Sequence, residues 1–217
     1  MSITMSLPTS RRFITQLLDA LPSSAGTHDA ATNPLSSVPE SAKKQLLSLQ
    51  VLFPSEFLPA LDLLDRRLVV RLKISDENGN TRNEDSAARN NSTTAPAHDY
   101  TPSSIYYVSS AQPRRHASSY DTSTSYQVRL RAWNCSCPAF AFAAFPAVHP
   151  EPTYQPSDAT EDAWFGGVSL GEGIPPVCKH LLACVLVEKC AGLFGGFVVE
   201  REVGVEEAVG WAAGWGD

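Results

Sequence analysis

The sequence predicts a small α+β protein: N-terminal helices, a short antiparallel sheet, and a Cys3His zinc site closed by a helix. Three observations carry that prediction. Apolar residues recur at helical spacing through the N-terminal third, then alternate with polar ones in three later stretches, and return to helical spacing after Lys179. A Cys-x-Cys pair and a Cys-x-His pair, forty residues apart, flank the change from strand to closing helix. The 217-residue chain is 43% apolar, enough to bury one core.

The first helix is predicted from Phe13, Ile14, Leu17, Leu18 and Leu21, with Thr15, Gln16 and Asp19 on its other face. The same Ser- and Thr-rich N-terminus, with Arg11 and Arg12, is weakly compatible with an organellar transit peptide, but the spacing favours the helix. Ser41 is a candidate cap for AKKQLLSLQVLF, which Pro54 stops. Ser55 is a candidate cap for EFLPALDLLDRR, with Pro59 near the first turn and Leu58, Leu61, Leu64 and Leu68 forming one buried face. LVVRLKI (68–74) changes to period two and reads as a strand, as does IYYVSS. YQVRLRAW (126–133) is the clearest strand: Tyr126, Val128, Leu130 and Ala132 face one way, and Gln127, Arg129, Arg131 and Trp133 the other.

These elements divide the chain. Residues 1–75 hold the N-terminal helices and first strand, and 76–104 has almost nothing to bury and reads as a disordered loop. Residues 105–198 form the zinc-binding region, with a Pro- and Gly-rich insertion at 146–176 that shows no sustained period. Residues 113–125 are another polar excursion, and 199–217 read as an acidic C-terminal tail. Lys179 to Cys190 is the closing helix through Leu181, Leu182, Val185 and Leu186, with Gly192 as its expected stop.

Charge and cysteine usage narrow the function. A net charge of −6 is unlike a general polyanion binder, because phosphate affinity comes mainly from Lys and Arg. The longest apolar runs are far too short to span a bilayer. Five cysteines, three of them within 178–190, do not resemble the disulfide framework of a small secreted domain and fit a reducing compartment.

Cys135, Cys137, Cys178 and His180 are the candidate metal ligands. Zinc takes four such ligands in a tetrahedron, and alternate residues leaving a strand project to one side. A Cys-x-His at the mouth of a helix supplies the other pair, and looping out the residues between costs closure entropy that grows only logarithmically. Two residues compete for a coordination position: Cys184, four residues after His180, and His149 in the insertion. Buried structural thiols are the competing explanation for the cysteines. Cys190, His28, His98 and His116 have no evident companions.

Cys-x-Cys, a variable gap and Cys-x-His resemble the SWIM zinc-binding module. CSCPAFAF, the later CKHLLA, and the preceding LLSLQVLFPSEFLPALDLLDRRLVVRL together resemble the SWIM-domain subunit of the Shu complex. The resemblance implies that Cys135, Cys137, Cys178 and His180 ligate one structural zinc ion. It also implies a non-catalytic nuclear adaptor that binds a RecA-like recombinase paralogue and promotes filament assembly in homologous recombination. DNA contact would be indirect or weak, with no membrane and no small-molecule substrate. The long gap between ligand pairs and the expanded 76–104 and 113–125 segments depart from the family pattern.

Other chemistry is missing where it would be expected. The sequence has no GxxxxGK[ST] phosphate cradle and no GxSxG turn, and GEGIPP is not a GxGxxG turn opening a helix. Phe140, Phe142 and Phe145 are candidates for the finger's own core or for a docking patch. Asp62 and Asp65 read as a solvated helix face. Arg66, Arg67, Arg71 and Lys73, and separately Arg114, Arg115, Arg129 and Arg131, are the clusters that an autonomous SWIM-type DNA-binding finger would use. A zinc-module adaptor in ubiquitin transfer is the more distant alternative.

Overall fold

The computed structural model describes residues 7–22, 38–75, 105–111, 124–146, 163–169 and 173–214. Helix α1 (Ser10–Asp19) is capped by Thr9, whose hydroxyl accepts from the Arg12 backbone N–H, and it buries Ile14 and Leu18. Helix α2 (Glu40–Leu52) starts after Pro39, so Ser41 lies inside it and is not its cap. Helix α3 (Phe57–Asp65) follows Glu56, so Ser55 is not a cap either, and Pro59 falls within the first turn. Its buried face is Phe57, Ala60, Leu63 and Leu64, whereas Leu58 is 60% exposed. The helix begins one residue later than expected, and the side packed against the core is the one bearing Phe57 and not the one bearing Leu58.

Five strands form one mixed sheet in the order β4-β3-β2-β1-β5. Strand β1 (Val69–Ile74) lies antiparallel to β2 (Ile105–Ser109), which pairs with β3 (Ser125–Arg129). Strand β3 turns back into the two-residue β4 (Asn134–Cys135), setting Val128 opposite Cys135. The expected 126–133 strand therefore ends at Arg129. A turn follows in which Trp133 adopts φ +49° and becomes buried, instead of sharing an outward face with the arginines. Its indole N–H donates to the Pro176 carbonyl at 2.9 Å.

One sheet face packs Val69, Tyr106, Val108 and Val128 into the main core. Helix α5 (Lys179–Lys189) runs through that core, and residues 180–187 are all buried, as expected of a helix apolar all round. Gly192 does not end it; the helix stops at Lys189 and Gly192 belongs to the short α6 (Ala191–Phe194). The α4 helix (Pro138–Ala144) follows the first ligand pair, with Pro138 at its first position.

Two segments depart from the sequence-based division. The acidic tail is not an appendage: Val198–Val203 is strand β5, parallel to β1 from Val69↔Val198 to Ile74↔Val203, and α7 (Val205–Ala212) follows. The sheet is therefore mixed and not purely antiparallel. Glu200 reaches Lys73 at 2.6 Å and Arg71 at 3.2 Å, so part of the acidity is matched across the strand pair. On the sheet's second face, Leu72, Tyr107 and Val203 pack with Ala208 and Trp211 of α7.

The second departure is the insertion. Within its described part, Phe165 is fully buried, with its ring 4.6 Å from Trp133 and 5.8 Å from Phe53. Arg11 donates to the Phe165, Gly167 and Ser169 carbonyls, stitching this loop to α1. Segments 76–104, 112–123, 147–162 and 170–172, including the expected disordered loop, lie outside the described residues.

Candidate metal centre

The hairpin and two helix starts assemble the site. Cys135 ends strand β4; Cys137 is the N-cap of α4; Cys178 is the N-cap of α5; His180 lies in the first turn of α5. Ser136, between the first two cysteines, is held from both sides: its hydroxyl accepts from the Gln127 backbone N–H at 2.9 Å, and its own N–H donates to the Gln127 carbonyl at 3.0 Å. This pair of hydrogen bonds to β3 fixes the turn that brings Cys135 and Cys137 into one group.

The four candidate ligand atoms lie within 4.8 Å of one another, and all four residues are buried. A zinc–sulfur tetrahedron with bonds of about 2.3 Å has S···S edges of about 3.8 Å, so modest contraction suffices. Cys135 Sγ is 4.0 Å from His180 Nδ1, while His180 Nε2 is buried without a hydrogen-bonding partner among the described residues. A buried imidazole nitrogen grouped with three buried sulfurs is a donor set that a zinc ion takes. Tyr126 holds the imidazole from one side, ring centroids 4.7 Å apart.

Electrostatics favour a cation here. The Cys137 and Cys178 sulfurs accept backbone N–H bonds from Phe140 at 3.3 Å and Leu181 at 3.5 Å. Both sulfurs thus sit where helix N-termini stabilise negative charge. Without a cation, the trio accommodates one thiolate. Hydrogen bonds from Cys135 and Cys178 hold Cys137 well below the usual thiol range. Cys135, by donating to Cys137 and Cys178 and through burial, is pushed far above it. Its hydrogen bond with Cys135 pulls Cys178 down, but the bond to Cys137 and burial outweigh this and push it up to about 12. Three thiolates side by side require a cation among them to offset their mutual repulsion.

All four predicted ligands are brought together and the described competitor is not. Cys184 is fully buried within the core packing of α5 and stands outside the group, its thiol driven upward by desolvation. Cys190 caps the end of α5 and lies 3.8 Å from the Leu18 carbonyl. His149, His28, His98 and His116 lie outside the described residues. Phe140 is buried, whereas Phe142 and Phe145 are 78% and 81% exposed. The two roles considered for these rings therefore divide, with Phe140 in the core and the other two at the surface.

Sequence reasoning missed the supporting residues. Nothing in the pattern marked Tyr126 as the ring against His180, although an aromatic nine residues before a ligand on a paired strand was the available signal. The capping by Cys137 and Cys178 was legible in principle, since each precedes a helical stretch by one residue.

The basic clusters are partly committed elsewhere. Arg71 contacts Glu188 and Glu200, Lys73 contacts Glu200, and Arg66 bonds Asp62 and the Ala111 carbonyl. Arg129 and Arg131 are exposed, and Arg114 and Arg115 lie outside the described residues. No single helix among the described residues is long and apolar enough to cross a membrane. Comparison with protein-family models and with curated proteins finds no match to the chain.

Proposed function

We propose that the protein is a non-catalytic adaptor whose C-terminal half is organised by one structural zinc ion. In this reading it serves as the SWIM-type subunit of a Shu-type complex, joins a RecA-like recombinase paralogue in the nucleus, and promotes recombinase filament assembly in homologous recombination repair. The observation that carries the reading is the buried Cys3His group, built from the two ligand pairs whose flanking sequences resemble that family. Four protein ligands leave no open coordination position for an activated water, which favours a structural over a catalytic metal.

Two features support an adaptor over an autonomous DNA-binding finger. Helix α4 and its C-cap show Phe142 and Phe145 to solvent on an uncharged segment, the composition of an interface core. Arg71 and Lys73 are spent in ion pairs within the sheet, so the cluster available for phosphates is small.

The test is affinity purification from nuclear extract with wild type, His180→Ala, and a Phe142→Ser/Phe145→Ser double variant, beside zinc content by mass spectrometry. The reading expects a RecA-like paralogue with wild type, its loss with both variants, and zinc retained in the double variant. No paralogue with any form, together with DNA binding by the isolated chain that charge reversal of Arg129 and Arg131 abolishes, would replace it with the autonomous finger.

A further inference from the structure

The two capping cysteines hold helices of unequal independence. Helix α5 is buried on every side from His180 to Val187 and packs on α3 and the sheet, so it has a core to keep it folded when the ion leaves. Helix α4 has seven residues, and its one buried side chain is Phe140. Isolated helices shorter than about 12–15 residues are marginal in water. What fixes α4 at its start is Cys137, whose Sγ accepts the Phe140 N–H and whose carbonyl accepts the Ala141 N–H at 3.2 Å. Pro138 fixes the entry angle but donates no hydrogen bond.

We propose that α4 is a metal-gated element: the uncharged face bearing Phe142 and Phe145 is presented only while an ion holds Cys137 in place. The inference rests on the zinc reading above and adds regulation to it. Loss of the ion frees Cys137 to leave its capping position and melts α4, while α5 and the sheet remain folded. The exposed aromatic pair is then lost as an ordered surface without global unfolding.

Hydrogen exchange read by mass spectrometry on the isolated full chain tests this, with zinc loaded and with a chelator at neutral pH. The expected result is that the amides of 141–145 exchange about tenfold faster or more after chelation, while those of 182–187 stay within about twofold. Unchanged protection of α4 after verified metal removal would overturn the gate. So would parallel loss in α4 and α5, which is global unfolding. Cys137→Ser separates the ion from the cap, because serine caps a helix well but does not supply the thiolate. It should behave as the chelated wild type, and protection of α4 in that variant would show that the cap alone suffices. The experiment contains no partner, so failure to capture a recombinase paralogue leaves its outcome intact. Absence of bound metal in the purified chain would end both the zinc reading and the gate.

Discussion

Replacing Phe165 with alanine tests whether the Pro- and Gly-rich segment before Cys178 is part of the core. The ring is fully buried and lies within 4.6 Å of Trp133, 5.8 Å of Phe53 and 6.0 Å of Trp164, centroid to centroid. Burying a phenylalanine side chain contributes about 1.5–3 kcal/mol, and favourable aromatic pairs add about 0.5–1.5 kcal/mol each beyond area. These terms overlap, and the surrounding rings relax only partly into the space left behind. The expected loss is therefore about 3–5 kcal/mol, the range for buried Phe→Ala. Urea unfolding followed by tryptophan fluorescence would report it as a lower midpoint with an unchanged slope. Val168→Ala, at a 69% exposed neighbour, is the control and should stay within about 0.5 kcal/mol. A Phe165→Ala loss below about 1 kcal/mol would refute the docking of this loop and return it to the status of an appendage.

Cys184→Ser should leave zinc stoichiometry at the wild-type value while lowering stability by about 1–3 kcal/mol, because a hydroxyl replaces a thiol in an apolar interior; loss of zinc in this variant would make it a ligand. Tyr106 donates to Glu188 and receives the Arg71 Nε at 3.1 Å, and burial holds its hydroxyl protonated far above the usual range. Tyr106→Phe should therefore cost about 1–3 kcal/mol in chemical denaturation. Zinc affinity should rise with pH. Cys135 and Cys178 hold their protons at neutral pH in the metal-free site and release them on binding, so the bound state carries fewer protons. Calorimetry in buffers of different ionisation enthalpy should find about two protons released, and affinity climbing up to about a hundredfold per pH unit; no release would contradict the assignment.

What could be read beforehand followed the strength of each local signal. Ile14, Leu18 and Leu21 declared α1, and the leucine-rich run of α5 declared a buried helix, because burial imposed their periodicity directly. The ligand set was legible because soft donors at paired spacing have few other uses in so short a span. Phe165 was not, being one aromatic in a stretch whose backbone is held by Arg11 and Thr15 from 150 residues away. Strand β5 was hidden by its charges: Glu200 and Glu202 alternate with Val199 and Arg201, a pattern that suits a tail as well as an edge strand. The turn at Trp133 escaped because a tryptophan at positive φ carries none of the glycine or asparagine signals that usually mark such a position.

The parallel pairing of β1 with β5 has a consequence for synthesis on the ribosome. Arg71 and its partner Glu200 are separated by 129 positions, so at about 5–20 residues per second β1 emerges roughly 6–26 s before its neighbour exists. Throughout that interval the outer hydrogen-bonding edge of VVRLKI stands open, with Val70 and Leu72 not yet covered by α7. Nascent chains stalled before position 198 should therefore be the form that chaperones engage and that aggregates. Lys73 and Arg71, which later meet Glu200, would serve until then as the charges that keep this strand from pairing with the wrong neighbour.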